Sequence, residues 1–316
     1  MGDSRGFVIQ NTMDEITPGL FVGSSMAETD KIKLKENGIT HILSIATHYQ
    51  PSYPDDFIYK SISIDDLPEE NIIQYFPACN EFISGALAVG GRVLVHCMAG
   101  QSRSATAAAA YLMHEQKLTA EQAVQAVKQR RPQIYPNQGF LDQLDLYYDL
   151  GYEVTEAKPL YRRFLINHSA EYFREYGSVQ HVASGADPSA LAAKAGGAER
   201  SARCKKCRRV LVTEVNILEH QAGAGQMAFS YNKRNASGAE TPHAFSQNHA
   251  CSSLFVEPME WMEGISEGLV ESKIACPKCH AKLGAYNWAG AQCSCGKWIT
   301  PSFQIHRNRI DELRKR

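Results

Sequence analysis

Arg92-Val93-Leu94-Val95-His96-Cys97-Met98-Ala99-Gly100-Gln101-Ser102-Arg103-Ser104-Ala105-Thr106-Ala107-Ala108-Ala109-Ala110-Tyr111-Leu112-Met113 passes from an apolar stretch through a short loop into an alanine-rich run. Val93-Leu94-Val95 suits a buried strand, and the small residues after Ser104 favour a helix that packs closely. A strand, a tight loop and a helix start aim backbone N–H groups and the positive end of the helix dipole at one concavity, which favours an anion. Cys97 and Arg103 bracket this loop. A free cysteine titrates near ~8.5, and a helix N-terminus with nearby cations lowers that to roughly 3.5–7.5, so the setting predicts Cys97 as a thiolate at neutral pH. Arg103 offers a planar fork of donors suited to two oxygens of a phosphoryl group. Gly100 permits a backbone conformation that a side chain would obstruct. Ser102 and Ser104 can donate hydroxyl hydrogen bonds to the sulfur or the loop.

A bare Cys-x5-Arg arises by chance; the preceding His96, the glycine three residues after the cysteine and the strand–helix setting make it specific. His96 to Ser104 resembles the signature loop of the cysteine-dependent protein phosphatases, and Ala99-Gly100-Gln101-Ser102-Arg103-Ser104 resembles the dual-specificity branch. The resemblance implies that Cys97 attacks phosphorus and Arg103 holds the phosphoryl oxygens. It also implies that Met98, Ala99, Gly100, Gln101 and Ser102 line the substrate site, that Ser104 serves the sulfur, and that an aspartic acid on another loop protonates the leaving oxygen. Ile64-Asp65-Asp66-Leu67-Pro68-Glu69-Glu70-Asn71-Ile72 offers two adjacent acids, and counting back five residues from Asn71, as the family's loop does, selects Asp66 over Asp65. Such an acid contributes ~10²–10⁴ in rate; the alternative is a pair of solvated turn carboxylates, or a helix cap. Tyr135-Pro136-Asn137-Gln138-Gly139-Phe140-Leu141 resembles the start of the family's last core helix, whose opening asparagine braces the signature loop through its side chain. From local chemistry, Asn137 is an N-cap. His96 reads as a core histidine that shapes the loop, without a proton-transfer role.

The 316 residues are 44% hydrophobic with a formal charge of −1, enough for a sizeable core and two domains. Near-neutrality argues against electrostatic coating of DNA. No run of about 18 apolar residues suggests a membrane span. Met1-Gly2-Asp3-Ser4-Arg5-Gly6 lacks an apolar leader and the residue that myristoylation wants at Gly6, and Arg314-Lys315-Arg316 lacks a prenylation cysteine. The expectation is an intracellular protein of nucleus and cytoplasm, in which nine cysteines serve metal or catalysis rather than disulfides.

Gly19–Gly23, His41–Ile45, Tyr59–Ile64 and the strand into Cys97 alternate with amphipathic stretches, predicting an α/β domain over 14–151 with a central, mostly parallel sheet. Thr119 and Gln122 have capping-box spacing ahead of a helix that ends by Pro132. Cys79 reads as an ordinary buried thiol. Residues 152–203 read as a helical extension and linker: Tyr161, Phe164, Leu165, Tyr172, Phe173 and Tyr176 form an apolar face, and 183–203 is small and polar.

Residues 204–311 carry seven cysteines. Cys204-Lys205-Lys206-Cys207 and Cys276-Pro277-Lys278-Cys279 are paired knuckles, Cys251 stands between them, and Cys293-Ser294-Cys295 follows. Such turns let two thiolates reach one metal, and sulfur-rich tetrahedral sites favour zinc. Two closed, structural sites need eight ligands, so one histidine is required: His220, with His243, His249 and His280 as rivals. Either Cys204, Cys207, Cys276 and Cys279 share one ion, leaving His220, Cys251, Cys293 and Cys295, or Cys276, Cys279, Cys293 and Cys295 group together. The first is favoured because facing knuckles make a compact β scaffold. Closed sites of this kind contribute ~10–16 kcal/mol of apparent binding energy to folding.

The phosphatase loop followed by Cys204-Lys205-Lys206-Cys207-Arg208, Phe255-Val256-Glu257-Pro258-Met259-Glu260-Trp261, the second knuckle and Trp288, Trp298 and Phe303-Gln304-Ile305-His306 resembles the eukaryotic dual-specificity phosphatases with a C-terminal zinc-binding domain. The resemblance implies hydrolysis of phosphoproteins. It also implies a role in large-subunit ribosome assembly, with the zinc domain docking on pre-60S particles through protein and ribosomal RNA, and it leaves open a mainly non-catalytic assembly factor. Arg203, Lys205, Lys206, Arg208 and Arg209 are compatible with RNA contacts, although a charge run is usually a solvated face. Trp261, Trp288 and Trp298 read as core rather than RNA-stacking platforms.

Overall fold

The computed structural model describes residues 12–179, 182–191, 200–221, 251–265 and 267–314. The chain divides into two units, Met1–Val154 and Thr155–Arg316. The stretches read for a leader, for a prenylation cysteine beyond Arg314 and for the rival ligands His243 and His249 lie outside the described residues.

The first unit runs β1 (Met13–Thr17), β2 (Leu20–Ser24), α1 (Ser25–Glu28), α2 (Lys31–Glu36), β3 (His41–Ile45), β4 (Ile58–Ile62), α3 (Phe76–Ala88), β5 (Val93–Cys97), α4 (Arg103–Gln116), α5 (Ala120–Arg130) and α6 (Gln138–Asp149). Its sheet has the order β1-β2-β5-β3-β4, parallel except for the antiparallel pair β1–β2. β1, too short and mixed in character to stand out in the sequence, makes the sheet mixed at its edge. β5 is buried along its length, as a central strand covered on both faces requires, and its Cys97 stands level with Ser24 of β2. Ligand sites of such sheets lie beyond the carboxyl ends of central strands, where β5 delivers Cys97. α4 is buried from Arg103 to Met113 and packs on β5, α3, α5 and α6; its alanines allow that crowding. The Thr119–Gln122 capping box opens α5.

The second unit comprises α7 (Pro159–Tyr176), α8 (Pro188–Leu191), β6 (Arg200–Cys204), β7 (Val210–Thr213), β8 (Ser253–Phe255), β9 (Glu271–Ala275), β10 (Lys282–Asn287), β11 (Ala291–Gln292), β12 (Trp298–Ile299), β13 (Ser302–His306) and β14 (Ile310–Arg314). They form antiparallel sheets ordered β8-β13-β10-β9 and β14-β6-β7 and a β11-β12 ribbon. Tyr286 stacks on Phe303 at 5.3 Å between centroids, with Trp288 edge-on at 5.4 Å, at the centre of its core.

Several expectations for 152–203 are corrected. α7 belongs to the second unit: Ala170 lies inside that unit's core with Phe173 against it, while Tyr176 is exposed. The stretch 183–203 is no free linker where it is described: Ala183 is buried, Gly185 exchanges backbone hydrogen bonds with Pro258 and Glu260, and β6 pairs with both β14 and β7. Small side chains there permit close backbone approach, which composition alone cannot tell from flexibility. Trp261 and Trp288 are buried, but Trp298 is exposed beside the Cys293–Cys295 turn and is not core.

Arg162 and Glu257 tie α7 to this unit's β core. Arg162 Nε and Nη2 donate to the two Glu257 carboxylate oxygens at 3.0 and 2.9 Å, both side chains are buried, and Asn216 Nδ2 adds a bond at 2.7 Å. Removing one partner strands a buried charge, which costs about 3–5 kcal/mol. Glu257→Ala is therefore expected to lower unfolding stability of the full chain by that amount in urea titrations; a loss below about 1 kcal/mol would contradict the arrangement.

Candidate active site and metal centres

The 97–103 loop is shaped from outside. Ser25 donates to the Met98 carbonyl through its N–H at 3.2 Å and its hydroxyl at 3.1 Å. Arg131 Nε reaches the Gly100 carbonyl at 2.8 Å, while its Nη1 holds Asp14 at 2.6 Å. The Tyr135 N–H meets the Gln101 carbonyl at 2.9 Å. In a trans peptide the N–H points opposite to the C=O, so outward carbonyls at 98, 100 and 101 turn the N–H groups of Ala99, Gln101 and Ser102 to the inner side of the loop. Gly100 has φ +68°, and a Cβ there would fall within 2.5 Å of the Gly23 carbonyl group. Only glycine fits that approach.

Cys97 is buried, with Ser104 Oγ 3.3 Å from its sulfur. Arg103 is also buried; its Nη1 donates to the Ile64 carbonyl at 2.9 Å, and its Nε lies 3.6 Å from an Asp66 oxygen. Asp66 accepts from the Ser102 hydroxyl at 2.6 Å and from Asn137 Nδ2 at 2.9 Å. Asp65 instead accepts from Thr47 at 2.8 Å, so of the two acids it is Asp66 that reaches the loop. His96 is buried edge-on to Tyr49 at 5.0 Å; burial lowers its pKa to about 4, keeping it neutral at physiological pH. Behind it, Glu28 is buried too. Burial alone would raise its pKa, but hydrogen bonds from Ser52 and Tyr59 outweigh that and hold it below the ordinary value.

Asn137 is the N-cap expected from local chemistry, but its side chain does not brace the signature loop directly. Its side chain caps α6 by accepting the Phe140 N–H at 3.0 Å and donates to Asp66 on the acid loop, while only its backbone N–H touches the signature loop, at Ser102 Oγ, 3.2 Å away. Sequence reasoning also missed Ser25, Arg131 and Gly139. A Cβ on Gly139 would overlap the Pro68 carbonyl, two residues beyond Asp66. Glycine at the first turn of a helix was the available sign of close approach; nothing marked Arg131, which acts through a carbonyl 31 residues away.

In the second unit, Cys204, Cys207, Cys276 and Cys279 bring their sulfurs together, as do His220, Cys251, Cys293 and Cys295; within each group the ligand atoms lie within 4.8 Å of one another. This is the first of the two groupings left open by the sequence. Cys204 and Cys279 are 3.7 Å apart, Cys207 and Cys276 3.5 Å, and His220 Nε2 lies 3.5 Å from Cys251 and 3.3 Å from Cys295. Four donors, converging without disulfide bonds, fit a tetrahedral metal ion. Both centres can bind metal. His280 belongs to neither; it has φ +55° just after the second knuckle.

Residues 20–149 match the family described as "Dual specificity phosphatase, catalytic domain". The chain is 36% identical to human dual specificity protein phosphatase 12, covering 96% of this chain and 89% of that protein. It is 33% identical to the tyrosine-protein phosphatase yvh1 of Schizosaccharomyces pombe, covering 96% and 86%. The crystal structure of the Yvh1 phosphatase domain from Chaetomium thermophilum is 33% identical over 44% of this chain and 96% of its own, with a TM-score of 0.41.

The contact between Gly139 and Pro68 predicts that Gly139→Ala displaces the acid loop. Turnover of an aryl phosphate is expected to fall at least about tenfold, within the range a misplaced acid can cost, with cooperative unfolding retained; an unchanged rate would show that the contact has no such effect.

Proposed function

Because this chain belongs to the dual-specificity protein phosphatase family and is a phosphoprotein phosphatase, we propose that it hydrolyses phosphotyrosine and phosphoserine or phosphothreonine through a cysteinyl-phosphate. The observation that carries the reading is the convergence of Cys97, Arg103 and Asp66 on a loop whose carbonyls at Met98, Gly100 and Gln101 are bound from outside.

In the first step Cys97 Sγ forms a bond to phosphorus as the ester P–O bond breaks. The leaving oxygen takes the proton of Asp66, and Arg103 with the inward N–H groups holds the remaining oxygens. Ser104 donates to the sulfur. In the second step Asp66 accepts a proton from water, the water oxygen bonds to phosphorus, and the S–P bond breaks to regenerate the thiolate and free phosphate. His96, neutral and buried, shapes the loop and moves no proton.

The two cysteine-rich centres hold structural zinc, one ion each, with no open position for water. Burial pushes the Cys251 and Cys276 thiols up, so sulfur anions there need a cation beside them. The zinc domain docks the enzyme on pre-60S particles in nucleus and cytoplasm, as the family resemblance implies. Lys205 and Lys206, exposed on the first knuckle, support an RNA-facing turn. Arg208 and Arg209 are engaged by Asp311 and Asp187, which leaves them less suited to that role than their sequence suggests.

Cys97→Ser is expected to abolish turnover of an aryl phosphate, and Asp66→Asn to lower it by about 10²–10⁴; retained activity in Cys97→Ser would eliminate the mechanism. Elemental analysis of the full chain is expected to find close to two zinc per molecule. Cys97→Ser should still cosediment with pre-60S particles while Cys276→Ala should not; zinc-free protein, or equal cosedimentation of both variants, would overturn the docking role.

A further inference from the structure

The mouth of the 97–103 loop is bordered by large apolar side chains that the fold leaves in solvent. Met98 is 65% exposed, Met26 68%, Leu67 52% and Tyr135 80%. Single exposed apolar residues need no explanation. Each of these four is a loop residue, bonds the loop through its backbone, or directly follows a residue that bonds it. Met98 follows Cys97, and Met26 follows Ser25, whose hydroxyl lies 3.1 Å from the Met98 carbonyl and 3.7 Å from its sulfur. The Tyr135 N–H holds the Gln101 carbonyl, and Leu67 follows Asp66, which accepts from Ser102. The charge pattern points the same way. The exposed loop side chains, Met98, Ala99 and Gln101, are uncharged, and the loop's cation, Arg103, is buried and turned to the Ile64 carbonyl. On the acid loop the exposed charges beside Leu67 are carboxylates, Asp65, Asp66 and Glu69.

The occupant of this edge follows from the chemistry of the loop. A phosphorylated residue whose phosphorus reaches Cys97 must lay its chain neighbours across whatever surrounds the mouth. We propose that Met26, Leu67, Met98 and Tyr135 form an apolar rim that selects phosphopeptides with large apolar residues beside the phosphorylated one and disfavours acidic neighbours or an adjacent second phosphate. Methionine side chains adapt to varied partners, and the tyrosine ring adds broad contact at small entropic cost. The inference rests on the phosphatase reading of the loop and goes further, to the substrate class.

The test uses the full chain and phosphotyrosine peptides that differ only at the positions flanking the phosphoresidue, with leucine and phenylalanine in one and glutamate in the other. An aryl phosphate without flanks is the control. The apolar peptide is expected to have a kcat/KM at least about tenfold higher, the size of effect that partial burial of one apolar side chain produces. The variant Met26→Ser should shrink that ratio by at least about twofold, with aryl phosphate turnover unchanged. Equal kcat/KM for the two peptides, with aryl phosphate still hydrolysed, overturns the rim and leaves the mechanism standing. No turnover of the aryl phosphate overturns the mechanism itself. Faster turnover of phosphoinositide in phosphatidylcholine vesicles than of the apolar peptide would make the edge a lipid contact and also overturn the proposal.

Discussion

The loop that follows β5 depends on its carbonyls being claimed from outside. Backbone groups are obligatory hydrogen-bonding partners, and a loop that turned its C=O groups inward would repel the anion it is built to receive. Ser25, Arg131 and the Tyr135 backbone prevent this. They come from α1, from the end of α5 and from the approach to α6, so the electrostatics of a few residues require the packing of the whole unit. Gly100 is the complementary requirement, since the same inward turn presses its Cα against Gly23 in β2.

What the sequence made legible follows the range of the forces involved. Cys97, Arg103 and the flanking strand and helix lie within one continuous run, so their chemistry could be read without knowing any distant contact. The Thr119–Gln122 cap was equally local. Asp66 needed a count borrowed from the family, because whether Asp65 or Asp66 reaches Ser102 depends on how the segment lies against α6. Arg131 and Ser25 were invisible for the same reason: each acts on a backbone atom remote in sequence, and neither residue type announces that. The supposed linker failed differently. Small polar residues suit both a loose chain and one packed closely, and only Ala183 and the strand at Arg200–Cys204 show which applies.

The second unit was legible in its ligands and not in its framework. Cysteine spacing named the turns that meet, whereas the pairing of β6 with β14 joins the two ends of the segment. The grouping of Cys204 and Cys207 with Cys276 and Cys279 also joins distant parts of the segment, so a metal ion held there would reinforce the strand pairing. His220 completes the other centre against the ring of Phe255, at 5.1 Å between centroids, which orients the imidazole before any ion arrives.

The bonds that join Asp66, Ser102 and Asn137 also bear on timing. A carboxyl group already hydrogen-bonded to the 97–103 loop, with its own segment wedged on α6 at Pro68 and Gly139, needs no movement to reach that loop. Enzymes that close a lid over the substrate often spend each cycle waiting for that motion. In the role proposed for Asp66, a carboxyl group placed in advance has no such motion to wait for.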